Sequence, residues 1–403
     1  MNSKLTSILI SLLAFASAGY AQLAIPYADG SDGVLNITSN TVIDLSQAVT
    51  GTWTNTSTAP GNGIYDPIQW AVVFKYSSVN IASNAVVTFL NHPTHAPVVW
   101  LVSSNATING EVNLDGQPSI QGLNTGAVEP GPGGFRGGSS SSILGPSGGF
   151  GPGGGYYPSG NGNGSYAGSY GSTNVLPLVG GSGSAGFPNS YNPFNLNLSG
   201  SGGGGAILIA ASGSITINGY CHALGGLQGS HGYQGSGGAL RLVANKILGT
   251  GTLATFNNTI GGTGRIRLEA NSVANALAIN PQTAAVLPGN PPAIFPPANG
   301  PIVTVMSVAG LAVPSDPRAI MSANAGADDL TIATTNAVSI LLQTSNFPTN
   351  GTVNVYIEPG YGAQSVHMAS FVSGDSNQAT WQVSTVLNAS PGHTIIQARA
   401  VAP

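Results

Sequence analysis

A glycine pair ahead of a five-residue strand recurs along this chain, and that unit limits what the chain can fold into. Gly202–Gly205 precedes Ala206–Ala210, Gly237-Gly238 precedes Ala239–Val243, and Gly261-Gly262 precedes Arg265–Glu269. Each unit then bends at an asparagine (Asn218, Asn245 or Asn271) or a glycine and carries a shorter apolar stretch. An earlier relative runs from Ala96–Trp100 through Asn105, Ile108 and Asn109-Gly110 to Val112. The starts at Ala206, Ala239 and Arg265 are 33 and 26 residues apart. Side chains along a strand alternate between its two faces. Ile207, Ile209, Leu240, Leu242, Ile266 and Leu268 therefore point inward, and Arg241, Arg265, Arg267 and Glu269 outward.

This pattern predicts an all-β chain built on a right-handed parallel β-helix or related β-solenoid with glycine-rich loops. Each rung satisfies its backbone polar groups on the rungs beside it. Glycine permits the tight corners, and asparagine accepts the conformation of the bends. A β-sandwich made of the same hairpins is the competing architecture; paired glycines before each strand favour the coil.

Composition agrees. Charged residues make up 5% of the chain, against roughly a quarter in ordinary globular proteins, so long solvated helices are not expected. No Lys/Arg cluster occurs and the net charge is -4, which excludes a nucleic-acid footprint. The single cysteine, Cys221, has no internal disulfide partner and reads as a small buried residue. At the N-terminus, Lys4, the apolar run Ile8–Ala18 and the small residues Gly19 and Ala21 have the parts of a secretory signal peptide over 1–21. That run is shorter than the roughly 20 residues that span a bilayer, and nothing comparable follows, so the mature chain is expected to carry no transmembrane anchor.

Five segments follow the signal. Residues 22–121 read as an N-terminal β domain with the first solenoid rungs. Its strands are expected at Val34–Ile37, Val42–Leu45, Trp70–Tyr76, Val79–Ile81, Val86–Leu90, Val98–Val102, Thr107-Ile108 and Val112–Leu114. Residues 122–201 form a glycine-rich insertion in which Glu129 and Arg136 are the only charges. Its frequent aromatics favour closely packed loops over a plain spacer. The rungs of 202–287 lead to a stiff proline-rich linker, 288–301, with Pro291-Pro292 and Pro296-Pro297. Residues 302–403 hold seven expected strands, at Val303–Val308, Leu330–Ala333, Ala337–Gln343, Thr352–Glu358, Ser365–Phe371, Ala379–Val386 and Thr394–Val401. That count and the turns between them predict an immunoglobulin-like β-sandwich.

The stretches Asp29–Gly33, Val42–Leu45, the run ending at Ile209 and Gly262–Leu268, taken with the C-terminal sandwich, give the chain a resemblance to a largely uncharacterised group of exported glycine-rich bacterial repeat proteins. The resemblance implies a secreted or cell-surface protein of Gram-negative bacteria and carries over no catalytic residue.

Residues for chemistry are sparse. Glu111 and Asp115 have even spacing and share a strand face if extension continues, although a turn near Gly116 competes. Arg265 and Arg267 are basic candidates for a lyase, or an outward ladder capped by Glu269. The His92–His95 spacing reads as a loop rather than a zinc site. Cys221 and His222 are adjacent and face opposite sides of a strand. Asp29 and Asp32 form a candidate calcium loop, or equally a turn heading the first strand. Tyr156, Tyr157, Tyr166, Tyr170 and Tyr191 are the candidate ligand-binding residues, as a sugar platform. The expectation is an exported structural or adhesive scaffold without catalytic activity, whose partners are extracellular glycans or cell-surface proteins. The alternative is a polysaccharide-binding or polysaccharide-degrading β-helix protein.

Overall fold

A computed structural model describes residues 22–120, 128–138, 148–156, 166–169, 171–186, 198–227, 233–256, 261–313, 330–359, 364–387 and 394–403. The expected signal segment 1–21 lies outside them. Among the described residues the structure is nearly all β, with one 3-10 turn at Leu45–Gln47 and no α-helix. No helix there is long and apolar enough to cross a membrane.

The first strands are β1 (Gly33–Ile37), β2 (Thr41–Asp44), β3 (Val49–Thr50), β4 (Ile64–Asp66) and β5 (Ala71–Ile81). Next come β6 (Val86–Leu90), β7 (Val98–Val102), β8 (Ala106–Ile108) and β9 (Glu111–Asn113). The glycine-paired units supply β10 (Ala206–Ile217), β11 (Tyr220–His222), β12 (Ala239–Leu248), β13 (Thr252–Ala254), β14 (Arg265–Val273) and β15 (Ala278–Asn280). Strands β5, β7, β10, β12 and β14 lie side by side in parallel. A second parallel sheet runs β2-β6-β9-β11-β13-β15.

The alternation read from sequence sets the register. Val72, Val98, Ile207, Leu240 and Ile266 align as one inward column, and Phe74, Trp100, Ile209, Leu242 and Leu268 as the next. From the second sheet, Val87, Val112, Cys221, Leu253 and Ile279 face them. These residues share one core. Slipping any strand by one residue would turn its column toward the opposite face, so the register is strongly specified.

The outward face of the first sheet is also covered. Leu23 and Ile25 from the N-terminal segment and Ile294 from the proline-rich segment pack on Val73, Val99, Leu208 and Val243. Arg241 and Glu269 point away from the core, as alternation requires, and under this cover they are only 2% and 5% exposed. Arg241 Nε donates to Glu269 Oε1 at 2.9 Å, and its Nη2 to Ala293 O at 2.7 Å. Arg267 Nε donates to the same carboxylate oxygen at 2.9 Å. Burial of this carboxylate is tolerable because two guanidinium groups meet it.

Between β9 and β10 the described glycine-rich segments run side by side with few strand pairings. Phe135 N donates to Gly181 O, Gly203 N to Phe135 O, Gly181 N to Gly204 O and Gly204 N to Ser236 O, all at 2.7 to 3.0 Å. The backbones touch: a Cβ on Gly183 would lie 1.9 Å from Arg136 O, and one on Gly200 1.9 Å from Ser184 O. Only glycine fits such a lattice, in which neighbouring segments take up each other's peptide groups.

The remaining strands are β16 (Ile302–Val308), β17 (Leu311-Ala312), β18 (Ala337–Ser345), β19 (Thr352–Pro359), β20 (Ser365–Met368), β21 (Ser370–Gly374), β22 (Gln378–Val386) and β23 (Thr394–Val401). They form two antiparallel sheets, β17-β16-β18-β22-β21 and β20-β19-β23. Val338, Ile340, Leu342, Val353, Val355, Trp381 and Val383 make their shared core. Leu330–Ala333 is not a strand, and the expected Ser365–Phe371 strand breaks at Ala369, where the chain leaves one sheet for the other.

Candidate functional site

A cleft of about 460 Å³ opens where the ends of β6 and β9 meet the first glycine-rich segment. Its best-defined part is a cluster around Glu129. The loop after β6 brings in His95, which is 7% exposed and has a left-handed backbone at φ 53°. A non-glycine residue persists there only when its surroundings hold it. Gly133 N donates to His95 O at 2.7 Å, and Trp70 Nε1 donates to the neighbouring Thr94 O at 2.9 Å. His92 is stacked on Tyr65 with centroids 4.0 Å apart.

So held, His95 Nε2 donates to Glu129 Oε2 at 2.7 Å, while Arg136 Nη2 lies 2.5 Å from Oε1. Burial pushes the Glu129 pKa up, but His95 and Arg136 outweigh it and keep the carboxyl below its ordinary range. Asn91 Nδ2 donates to Pro130 O at 2.8 Å, pinning the loop to the same segment.

Beside this cluster stands a second one, which ties β9 and the segment after it to β11. His222 Nδ1 lies 2.8 Å from Asp115 Oδ1, and Nε2 lies 3.0 Å from Glu111 Oε1. Both nitrogens donate to a carboxylate when the ring is doubly protonated. Burial lowers the His222 pKa, yet hydrogen bonds and charge from Asp115, and then from Glu111, raise it overall. Leu224 N also donates to Asp115 Oδ1, at 2.6 Å, and Tyr220 stacks on the imidazole at 4.0 Å. Glu111 and Asp115 therefore do serve one side of the chain, joined by His222. Cys221 faces the core instead, where burial pushes its thiol up to about 12.

The other candidates lie elsewhere. Asp32 is buried and accepts from Ser57 Oγ at 2.8 Å, Gly61 N at 2.9 Å and Lys75 N at 2.7 Å. Asp29 accepts from Ser31 N at 2.9 Å and lies 3.8 Å from Lys75 Nζ. Among the described residues no group of three or more His, Cys, Asp or Glu is arranged to hold a metal. Tyr156 is exposed, whereas Tyr166 meets Tyr233 edge-on at 5.1 Å. Tyr157, Tyr170 and Tyr191 fall outside the described residues.

In the sequence Glu129 and Arg136 stand as isolated charges, and nothing there joins them to His95. Their signal was their solitude, since two opposite charges in a long neutral stretch have every reason to pair. Comparison with known protein families, curated proteins and solved structures finds no match to the chain.

Proposed function

We propose that the chain is an exported structural or adhesive scaffold, secreted or held at a cell surface, whose body is a right-handed parallel β-helix with glycine-rich walls. An immunoglobulin-like β-sandwich follows it. The observation that carries the reading is the unbroken parallel alignment from β5 through β7, β10 and β12 to β14, continued by the glycine lattice. Right-handed connection is the rule for parallel strands joined by crossovers. Such a body resists deformation because each tier completes the hydrogen bonding of the next.

A scaffold also accounts for the charges. Lys75 with Asp29, Arg241 and Arg267 with Glu269, Arg136 and His95 with Glu129, and His222 with Glu111 and Asp115 are all internal pairings. They bind one segment to another, and Glu129 is held below the ordinary carboxylate range, opposite to the raised-pKa state that glycoside hydrolysis requires of its proton donor. The cleft supports the polysaccharide reading in its binding form.

The test is incubation of purified protein with neutral and acidic polysaccharides, with and without calcium, scoring retention and new reducing or unsaturated ends. Retention without new ends is expected of an adhesin, and neither of a purely structural scaffold; turnover would overturn both. Calcium-dependent retention lost in Asp29→Asn would assign the Asp29–Gly33 loop to that ion.

A further inference from the structure

We infer that the cleft beside Glu129 holds an uncharged, hydroxyl-rich saccharide and binds it without cleaving it, an inference that rests on the adhesive half of the reading above. Its volume of about 460 Å³ lies within the roughly 300–1,000 Å³ usual for small-ligand sites. The chemistry of its lining selects the class of ligand.

Charge comes first. Glu129 is neutralised on one oxygen by Arg136 and bonded on the other by His95; Asp115 is met by His222 and by Leu224 N. A phosphate or uronate entering here would face two carboxylates, and a cation would face the guanidinium of Arg136. Neither sign finds an unbalanced partner, and desolvating an ion without one is costly. An uncharged ligand carries no such cost.

Hydrogen-bonding capacity comes second. Gln117 is exposed at the cleft and presents an amide with donors and acceptors, whereas half-buried Asn113 gives its Nδ2 to Glu111 Oε1 at 3.3 Å and takes Asp115 N on its Oδ1 at 2.9 Å. Asn91 Oδ1 is buried with no hydrogen-bond partner, although its Nδ2 is used. Carboxylates fixed by protein donors keep lone pairs to accept from hydroxyls. Leu90 and Pro93 are exposed at the rim, where apolar surface suits the C–H face of a sugar ring. Donors, acceptors and small apolar edges without net charge are what a polyhydroxyl ligand presents in return.

Absence of cleavage follows from the same contacts. Glycosidic hydrolysis needs one carboxylic acid poised to give up a proton. Glu129 is held ionised by Arg136 and His95, so the cleft lacks that donor on its best-placed carboxyl.

The experiment is affinity electrophoresis of the full chain through gels containing a neutral glucan, a neutral galactomannan or polygalacturonate, each at low and at raised salt. Two rim variants are run beside it, Gln117→Ala and Leu90→Arg, chosen because both positions are exposed and their loss leaves the fold intact, which the melting temperature checks. Retardation is expected in a neutral gel, little affected by salt, and weakened about ten-fold by either variant, as loss of one or two hydrogen bonds or a blocked mouth implies. No reducing ends should appear in the gel.

Stronger retardation by polygalacturonate that salt abolishes would overturn the uncharged ligand. Neutral retardation surviving both variants would remove the cleft while leaving adhesion standing. Retardation in no gel would overturn the inference and the adhesive role together, with the scaffold architecture judged separately by protection of its amides.

Discussion

Gly183 is the position at which the glycine lattice is most sharply testable. A Cβ there would stand 1.9 Å from Arg136 O and 2.7 Å from Gly137 N, so in Gly183→Ala the two segments must part by about 1 Å or distort. That parting strains three hydrogen bonds between segments: Gly183 N to Phe150 O, Gly155 N to Gly183 O and Gly138 N to Ser184 O. At about 1 kcal/mol each, with overpacking of about 1–3 kcal/mol, the substitution should cost roughly 4–6 kcal/mol. Gly168 is the control within the same region. Its nearest neighbour to an added Cβ is Gly153 O at 3.7 Å and its φ is not left-handed, so Gly168→Ala should fall between neutral and about 1 kcal/mol stabilising. Urea unfolding followed by tryptophan fluorescence, to which the buried Trp100 contributes, reads both. Equal midpoints for Gly183→Ala and Gly168→Ala would refute the lattice and favour a solvated spacer.

Other expectations follow from the ion pairs and the core. Arg241→Ala should cost about 3–5 kcal/mol, the usual loss on breaking a buried pair, and should expose the 291–297 segment to limited proteolysis. The pH dependence of stability gives a further check, because His222 has a folded pKa above its unfolded value: its contribution to stability is complete below the unfolded pKa and disappears as pH rises through the raised folded one. Comparing stability against pH for the parent and His222→Asn should therefore show a parental advantage at mildly acidic pH that vanishes at alkaline pH; an advantage growing with pH would contradict the double clasp. Glu129 runs the opposite way, its pKa being depressed, so its contribution is present above the unfolded carboxyl pKa and is lost as pH falls through the folded one; Glu129→Gln should remove that acid-side loss. Cys221, fully buried with a raised thiol pKa, should react with a thiol reagent only after unfolding.

The inward columns were legible from sequence because strand alternation is local: Ile207, Ile209, Leu240 and Leu242 declare their face by spacing alone, and the same spacing fixes the register of β10 on β12. Separating Cys221 from His222 needed no more than that rule. Burial of Arg241 was not legible, since alternation says which side a residue faces but not what later covers it; here the cover is Ala293-Ile294, some fifty positions downstream. The cleft was illegible for a related reason. His95 meets Glu129 34 positions away and Asp115 meets His222 107 positions away, and the second separation depends on the insertion between β9 and β10, whose length no periodicity predicts. Glycine frequency announced close backbone approach without saying which segments would be neighbours. Leu330–Ala333 had the composition of a strand, but tertiary pairing decides such short runs.

Hydrogen exchange resolved to individual segments tests the central claim most directly, that glycine-rich segments and strands form one continuously hydrogen-bonded scaffold. Amides of Phe135, Gly181, Gly183, Gly203, Gly204 and Ser236, all donors to neighbouring segments, should be protected to the same order as those of β10 and β12. Exchange of these amides at free-peptide rates while β10 and β12 stay protected would contradict it.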